Sequence, residues 1–273
     1  MARMTSATAG PAYQVRARNL APDSDNKIHD DEVARRFGFS GALVPGVEVF
    51  AYAVHPFARA YGAAFFDGGG LAIRFRRPVY DGELVGVVAD PLSGGDAWAL
   101  RVIGPDGEVR ATGSARGPAA GGPPQVDIDR FRRFAVPAEP PPATPESLAA
   151  GTVLGTVVET AEPGACTDYL TGINETSTLY TDDGIVHPGL LLRMVNAALF
   201  RNVALGPWIH TESDCAFLGT APVGATLSAR AVVTGLSSRN HNDYVHYDAL
   251  VLADDAPVLL ARHTAIYRLG AGS

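Results

Sequence analysis

The stretch "GALVPGVEVFAYAVHPFARAYG", Gly41 to Gly62, has an echo later in the chain: "GIVHPGLLLRMVNAALFRNVALG", Gly184 to Gly206. In each, a glycine opens a short apolar turn, Pro-Gly closes it, and a long apolar segment follows. Leu190, Met194, Ala197 and Ala198 keep helical spacing, and both segments are apolar nearly all round. That is the pattern of a helix buried on every side. The reading predicts central helices near 46–61 and 189–204, with Pro56 kinking or ending the first.

The echo is part of a longer repeat. "FRRPVYDGEL" (Phe75 to Leu84) matches "FLGTAPVGATL" (Phe217 to Leu227), so that Phe75 corresponds to Phe217 and Gly82 to Gly224, each at a shift of 142. The Gly46–Gly189 match lies at a shift of 143, and a one-residue gap reconciles the two. Two matches in the same order and at nearly the same spacing indicate a tandem duplication. The halves are read as 1–117 and 151–273. A Pro- and Gly-rich linker at 118–150 lies on the surface, with "VDIDRFRRFAV" inside it as a docked turn of helix or strand.

Each half repeats one order of patterns. An extended start ("YQVRARNL", "TVLGTVVET") leads to a polar irregular stretch, then to the apolar helix, then to three or four strands. In the first half the strands are "LAIRFRRPVY", "ELVGVVADPL", "AWALRVIG" and "EVRATGSARG", with a hairpin turn at "GPDG". In the second they are "HTESDCAFL", "TLSARAVVTGL", "DYVHYDALVLA" and "PVLLARHTAIYRL", with "ADDAP" as the turn. This predicts an α+β fold: two antiparallel sheets, each wrapped round one helix and joined into one continuous sheet.

Composition bounds the function. The chain has 273 residues, 47% of them hydrophobic, and a net charge of −7 without a basic run. That speaks against a nucleic-acid surface. Cys166 and Cys215 are too few for a disulfide framework and read as buried thiols of a reducing compartment. No apolar run reaches the about 18 residues a membrane helix needs, and "MARMTSATAGPAY" lacks a signal-peptide core. The expectation is a cytoplasmic protein, not membrane-bound, with a loose tail at 1–11. No HExxH, CxxC or glycine-rich phosphate loop occurs, so no metal, nucleotide or other cofactor is expected.

The chemistry-bearing stretch is "DSDNKIHDDEVARRFGFSGALVPG", Asp23 to Gly46. Its "DDE" at Asp30 to Glu32 reads as the acidic first turn of a helix. Asp25 reads either as a cap for that helix or as a functional carboxylate. Gly46 reads either as a plain turn residue or as a site where a ligand approaches the backbone. Glu48 opens an otherwise apolar helix, where an acid is structurally ordinary and could also serve as a base.

In this stretch Asn26, Ile28, His29, Ala34, Gly38, Phe39, Leu43, Val44 and Gly46 resemble the signature of MaoC-like acyl dehydratases, the hydratase-2 group of the hot-dog fold. "RFRRPVYDGELV" resembles that family's next segment. The second half resembles it only through "GIVHPGLL" and the strand pattern. The family's Asp stands five residues before its His. Ser24 holds that position here, with Asp25 and Asp23 on either side, and Lys27 replaces the family's Pro.

The resemblance implies a tandem double hot dog with one active site. The implied activity is (R)-specific hydration of an enoyl thioester, or dehydration of a 3-hydroxyacyl thioester, on coenzyme A or an acyl carrier protein. That chemistry needs an acid/base, a carboxylate for the water and donors for the thioester oxygen. His29 would be the acid/base, Asp25 the carboxylate and Asn26 an orienting group. The backbone amides at Gly46 and Val47 would be the oxyanion donors, since first-turn amides are unpaired and the helix dipole favours negative charge. The main cavity should be lined by His29 and the start of the 46-helix, with the second half as its apolar wall. Two other readings stay open: a thioesterase using Glu48 or Asp25, and a non-catalytic acyl-thioester-binding pseudo-dimer. A homodimer of the double hot dog is compatible with each. His187 reads as a fold remnant or pocket wall. Asn174 and Glu175 stand near the second-half counterpart of His29, a half expected to be catalytically degenerate. His210, His241, His246 and His263 read as structural residues of strands.

Overall fold

Strand β1 (Tyr13–Arg16) lies at one rim of a sheet, and a single turn of 3-10 helix (Lys27–His29) and α1 (Asp31–Arg36) follow it. Next come α2 (Gly46–Tyr61) and strands β2 (Gly70–Phe75), β3 (Leu84–Pro91), β4 (Ala97–Ile103) and β5 (Val109–Arg116). The second half runs β6 (Val153–Thr160), α3 (Pro163–Gly172), α4 (Leu179–Asp182), α5 (Pro188–Phe200), β7 (Ile209–Phe217), β8 (Thr226–Arg239), β9 (Asn242–Ala253) and β10 (Ala256–Arg268). This computed structural model describes residues 13–22, 24–93 and 96–270; the expected loose tail at 1–11 and Asp23 lie outside them.

Among the described residues, ten strands form one antiparallel sheet in the order β1-β3-β4-β5-β2-β7-β10-β9-β8-β6. The order reads the same from both ends once each strand is matched to its counterpart, so β2 and β7 form the seam. There Ala72 faces Asp214, Leu71 faces Cys215 and Ile73 faces Ser213. Ala72 and Asp214 are counterparts at the repeat shift, so a pseudo-twofold axis passes through that pair. The repeat is visible bond by bond. The Leu43–Tyr80 bridge matches the Ile185–Pro222 bridge. The amides of Gly82 and Gly224 both donate to the carbonyl of the preceding edge segment, at Ala17 and Ala161, each at 2.8 Å. Both glycines have positive φ, 79° and 91°, which side-chain-bearing residues rarely adopt.

Helices α2 and α5 pack on each other and against the sheet. From Val47 to Ala58 every residue of α2 is buried. Phe50, Tyr52 and Phe57 are among the largest fully buried side chains. Each such ring contributes roughly 1.5–3 kcal/mol by leaving water, before conformational entropy is subtracted. Burial of Phe57 and Ala58 carries α2 on past Pro56 to Tyr61, so the expected break does not end it. Helix α5 stops at Phe200, earlier than the expected 204. Asn202 turns its side-chain amide back onto the Ala198 carbonyl (2.9 Å) and clamps Gly155 through both backbone groups (2.6 and 2.9 Å). A side chain that takes the i−4 carbonyl competes with the helix.

Between the halves the chain carries one 3-10 turn, Ile128–Arg130. Phe131 beside it is buried with Leu250 and Leu252, so this segment is docked on the second-half sheet. Cys166 and Cys215 are free and buried. His241 lies in the β8–β9 hairpin turn with φ 62°, not in a strand. Among the described residues no helix is long and apolar enough to cross a membrane.

Candidate functional site

The loop before α2 is folded by its own polar side chains. Asp30 caps α1 by accepting from the amides of Glu32 and Val33, both at 3.0 Å. That role falls to Asp30 and not to Asp25. Asp31 accepts from the Ala42 amide (2.7 Å), and buried Ile28 pins the 3-10 turn, so the loop closes back on itself. This brings the His29 ring under the Leu43 carbonyl, with Nδ1 donating to it at 2.7 Å. The proton is therefore on Nδ1, and Nε2 keeps its lone pair. Burial pushes the His29 pKa down, against a partial rise from the Leu43 bond, so the imidazole is neutral near pH 7.

Asn26 stands beside this ring and is itself anchored to the far half of the molecule. Its amide is held by Trp208: Nδ2 donates to the Trp208 carbonyl (3.0 Å) and Oδ1 accepts from the Trp208 amide (3.2 Å). Nδ2 then sits 3.4 Å from His29 Nε2. Asp25 is exposed, and the structure gives it no bond to His29. It lines the same cavity, whose volume is about 1060 Å³. The cavity also takes in His29, Gly46 and Val47 on one side, and Leu190, Met194 and Ala197 of α5 on the other.

The starts of the two central helices differ. Helix α2 has Pro45 as its N-cap and no side-chain cap; the amides of Glu48 and Val49 both turn to the Pro45 carbonyl, leaving those of Gly46 and Val47 at the open end. Helix α5 is closed by its own residues. Pro188 has no amide hydrogen, and His187 Nδ1 accepts from the Gly189 amide at 3.0 Å. His187 is thus a helix cap, neither remnant nor mere pocket wall.

Gly46 owes its size to packing. A Cβ there would lie 2.8 Å from His210 Nδ1 and 2.9 Å from Phe75 Cε2. The expected reason, close approach of a ligand to that side of the residue, is replaced by close approach of the β2–β7 seam. Gly46→Ala should therefore destabilise the fold by about 1–3 kcal/mol through overpacking, measurable as a lower denaturant midpoint.

Glu48 is fully buried and lines the cavity. Its Oε1 accepts from Arg193 of α5 at Nε (3.0 Å) and at a terminal guanidinium nitrogen. Burial pushes the Glu48 carboxyl up, and the Arg193 charge offsets part of that rise. Arg193 in turn lies over the Tyr169 ring, 4.5 Å from its centre.

Two further clusters were not expected. On the seam, Ser213 Oγ joins His210 Nε2 (2.7 Å) to His263 Nδ1 (2.8 Å), and the two imidazoles stack at 4.1 Å. His210 and Ser213 are three apart and would face opposite sides of a regular strand. A bulge at Thr211 turns both inward. Burial lowers the His210 pKa to about 3. Its unfolded value is about 6.5, so the stability from its neutral form is complete above that pH and lost as pH falls toward 3. Between about pH 5.5 and 4.5, His210→Phe should flatten the fall of unfolding free energy with acid by about 1.4 kcal/mol per pH unit. Denaturant titrations across that range measure it; an unchanged slope would contradict the assignment.

The second cluster lies where the second half's counterpart of His29 would be. Glu175 Oε1 accepts from His55 Nδ1 (2.6 Å) and from the amides of Thr176 and Ser177 (2.8 and 2.7 Å). His187 Nε2 stands 3.6 Å from Oε2. Burial alone would raise the Glu175 carboxyl, but these donors hold it well below the usual carboxylate range. Asn174 instead ties β1, with its Nδ2 donating to the Arg16 carbonyl at 2.9 Å. Glu175 and His55 are 120 residues apart, and no local pattern joins them.

No family model matches the chain, and no curated protein sequence matches it. Solved structures do match. Rv0216 from Mycobacterium tuberculosis, described as having a double hotdog fold, is 16% identical, with 96% of each chain covered and a TM-score of 0.64. A putative MaoC domain protein dehydratase from Chloroflexus aurantiacus is 12% identical, with 90% of this chain and 89% of that one covered and a TM-score of 0.59. A putative oleoyl thioesterase from Lactobacillus plantarum is 13% identical, with 96% and 98% covered and a TM-score of 0.50. At such identities the likeness is one of fold: the chain is a double hot dog, as the sequence resemblance implied.

Proposed function

We propose that the protein is a MaoC-like hydratase or dehydratase that adds water to a trans-2-enoyl thioester, or removes it from the (R)-3-hydroxyacyl thioester, on coenzyme A or a carrier protein. The observation that carries this reading is the Leu43-bound His29, whose Nε2, held as an acceptor by the Asn26 side-chain amide at 3.4 Å, shares one cavity with the open first turn of α2. His29 Nε2 takes a proton from water, and the oxygen bonds to the β-carbon. The pair of electrons displaced from the double bond moves toward the thioester carbonyl. Its oxygen is stabilised by the Gly46 and Val47 amides, where unpaired N–H groups and the helix dipole favour negative charge. The proton on His29 then passes to the α-carbon. Asp25, at the rim of the cavity, is the carboxylate for the water, and Asn26 keeps the imidazole in place. The second half supplies wall and clamp, its own helix start being occupied by His187.

A thioesterase reading would use Glu48 as base. Arg193 engages that carboxylate, which favours hydration. The test is to follow loss of the conjugated double bond beside release of free thiol, on enoyl-coenzyme A and enoyl-carrier-protein substrates of several lengths. Hydration without thiol release is expected. Thiol release without hydration, lost in Glu48→Gln and kept in His29→Ala, would transfer the assignment to a thioesterase. Neither activity, with thioester binding retained, would make the chain a binding pseudo-dimer.

A further inference from the structure

The proposed chemistry uses the thioester end of the cavity and leaves a polar group on its wall without a task. Glu48 Oε2 and Asn196 Oδ1 are buried acceptors with no hydrogen-bond partner among the described residues. Glu48 is fully buried and Asn196 is 9% exposed, and both line the cavity. Arg193 lines it too; its side chain is 35% exposed, and the bonds it makes to Glu48 use Nε and one terminal nitrogen. Asn196 follows Arg193 by three residues on α5, which puts the two side chains on one helix face.

Around this group the wall is apolar, with Leu190, Met194 and Ala197. A plain alkyl chain has nothing to give Glu48, Arg193 and Asn196, and leaving buried acceptors unpaired costs stability. Apolar residues of similar volume commonly serve as well as a buried ion pair, so stability alone does not account for this one. The missing partner must be a donor, because the orphaned atoms are acceptors. It must be uncharged, because an anion would meet the Glu48 carboxylate and the Arg193 charge is already matched. A hydroxyl fits both demands: it donates to Glu48 Oε2 or Asn196 Oδ1 and accepts from the Arg193 guanidinium or the Asn196 amide nitrogen.

We propose that Glu48, Arg193 and Asn196 form a hydroxyl-binding subsite, and that the thioester substrate carries a hydroxyl on its acyl chain beyond the reacting carbons. The inference rests on the thioester reading for the identity of the ligand, and a binding experiment separates the two. Octanoyl-coenzyme A and its isomeric monohydroxy derivatives, all saturated and unreactive to hydration, are titrated by calorimetry into the full-length protein and into Asn196→Leu. At least one hydroxy isomer should bind the wild type about tenfold more tightly than octanoyl-coenzyme A. Asn196→Leu should remove that preference. The wild-type comparison needs no variant, and a thermal melt checks that Asn196→Leu is folded. Octanoyl-coenzyme A binding as tightly as every hydroxy isomer would overturn the proposal. So would a preference that survives intact in both Asn196→Leu and Glu48→Gln, or no binding by any member of the series. A hydroxyl preference in a protein without hydratase activity would leave the subsite standing and sink the catalytic reading alone.

Discussion

Replacing His29 by Ala is expected to lower kcat for enoyl thioester hydration by about 10²–10⁴, with the affinity for the thioester nearly unchanged. The size follows from the role. A positioned imidazole that moves a proton in the transition state is worth that range, and its loss removes no uniform binding. The geometry supports the sign. The Leu43 carbonyl holds Nδ1–H, burial keeps the ring neutral, and Nε2 is the basic atom near pH 7. Burial lowers the His29 pKa, so the base form persists below pH 6.5 and activity should fall on the acid side only below that value. Asp25→Asn should cost less than His29→Ala, since Asp25 is exposed and the structure gives it no bond to the ring. Steady-state kinetics paired with calorimetric binding of a saturated thioester measures both quantities. A wild-type kcat in His29→Ala would remove the residue from the mechanism.

Removing Arg193 alone should be the most damaging single change to the fold. In Arg193→Leu the Glu48 carboxyl loses both of its donors while remaining fully buried between the two central helices. An uncompensated buried charge costs about 3–5 kcal/mol. The cation over the Tyr169 ring is lost as well, which adds a contribution on the order of 1 kcal/mol. The double variant Glu48→Leu with Arg193→Leu should recover most of this loss, because an apolar pair needs no partners. Urea unfolding of the three proteins decides it. A single variant within about 1 kcal/mol of wild type would show that Glu48 is protonated or solvated and not held as an ion pair. If the double variant is stable yet binds hydroxylated and plain chains alike, stability and recognition are separated in one experiment.

The architecture was legible because the duplication kept its landmarks. The Pro-Gly helix starts recur at a shift of 143 and the Gly82 and Gly224 turns at 142, and the paired bridges and the seam axis at Ala72 and Asp214 keep the latter. The strand segments and the hairpin turns between them were legible from the order of patterns that each half repeats. His29, Asn26 and the start of α2 were legible from one contiguous stretch. What was not legible is what depends on two distant segments or on an irregularity. Glu48 and Arg193 are 145 residues apart, and only the crossing of α2 with α5 brings them together. The His210–Ser213 pair contradicts strand periodicity until the Thr211 bulge is known. Pro56 was read as kinking or ending the helix because propensity was visible, and the burial of Phe57 and Ala58, which carries the helix on to Tyr61, was not. Asn26 was expected to orient His29, and its anchoring to the Trp208 backbone is a tertiary fact with no local trace.

A crystal structure of His29→Ala with a bound trans-2-enoyl thioester tests the central claim most directly. The account predicts the thioester oxygen within hydrogen-bond distance of the Gly46 or Val47 amide, and the β-carbon facing the space vacated by the imidazole. The acyl chain should run along α5 past Arg193 and Asn196. A thioester seated instead against Glu175 and His55, or one whose carbonyl turns away from the start of α2, would contradict it.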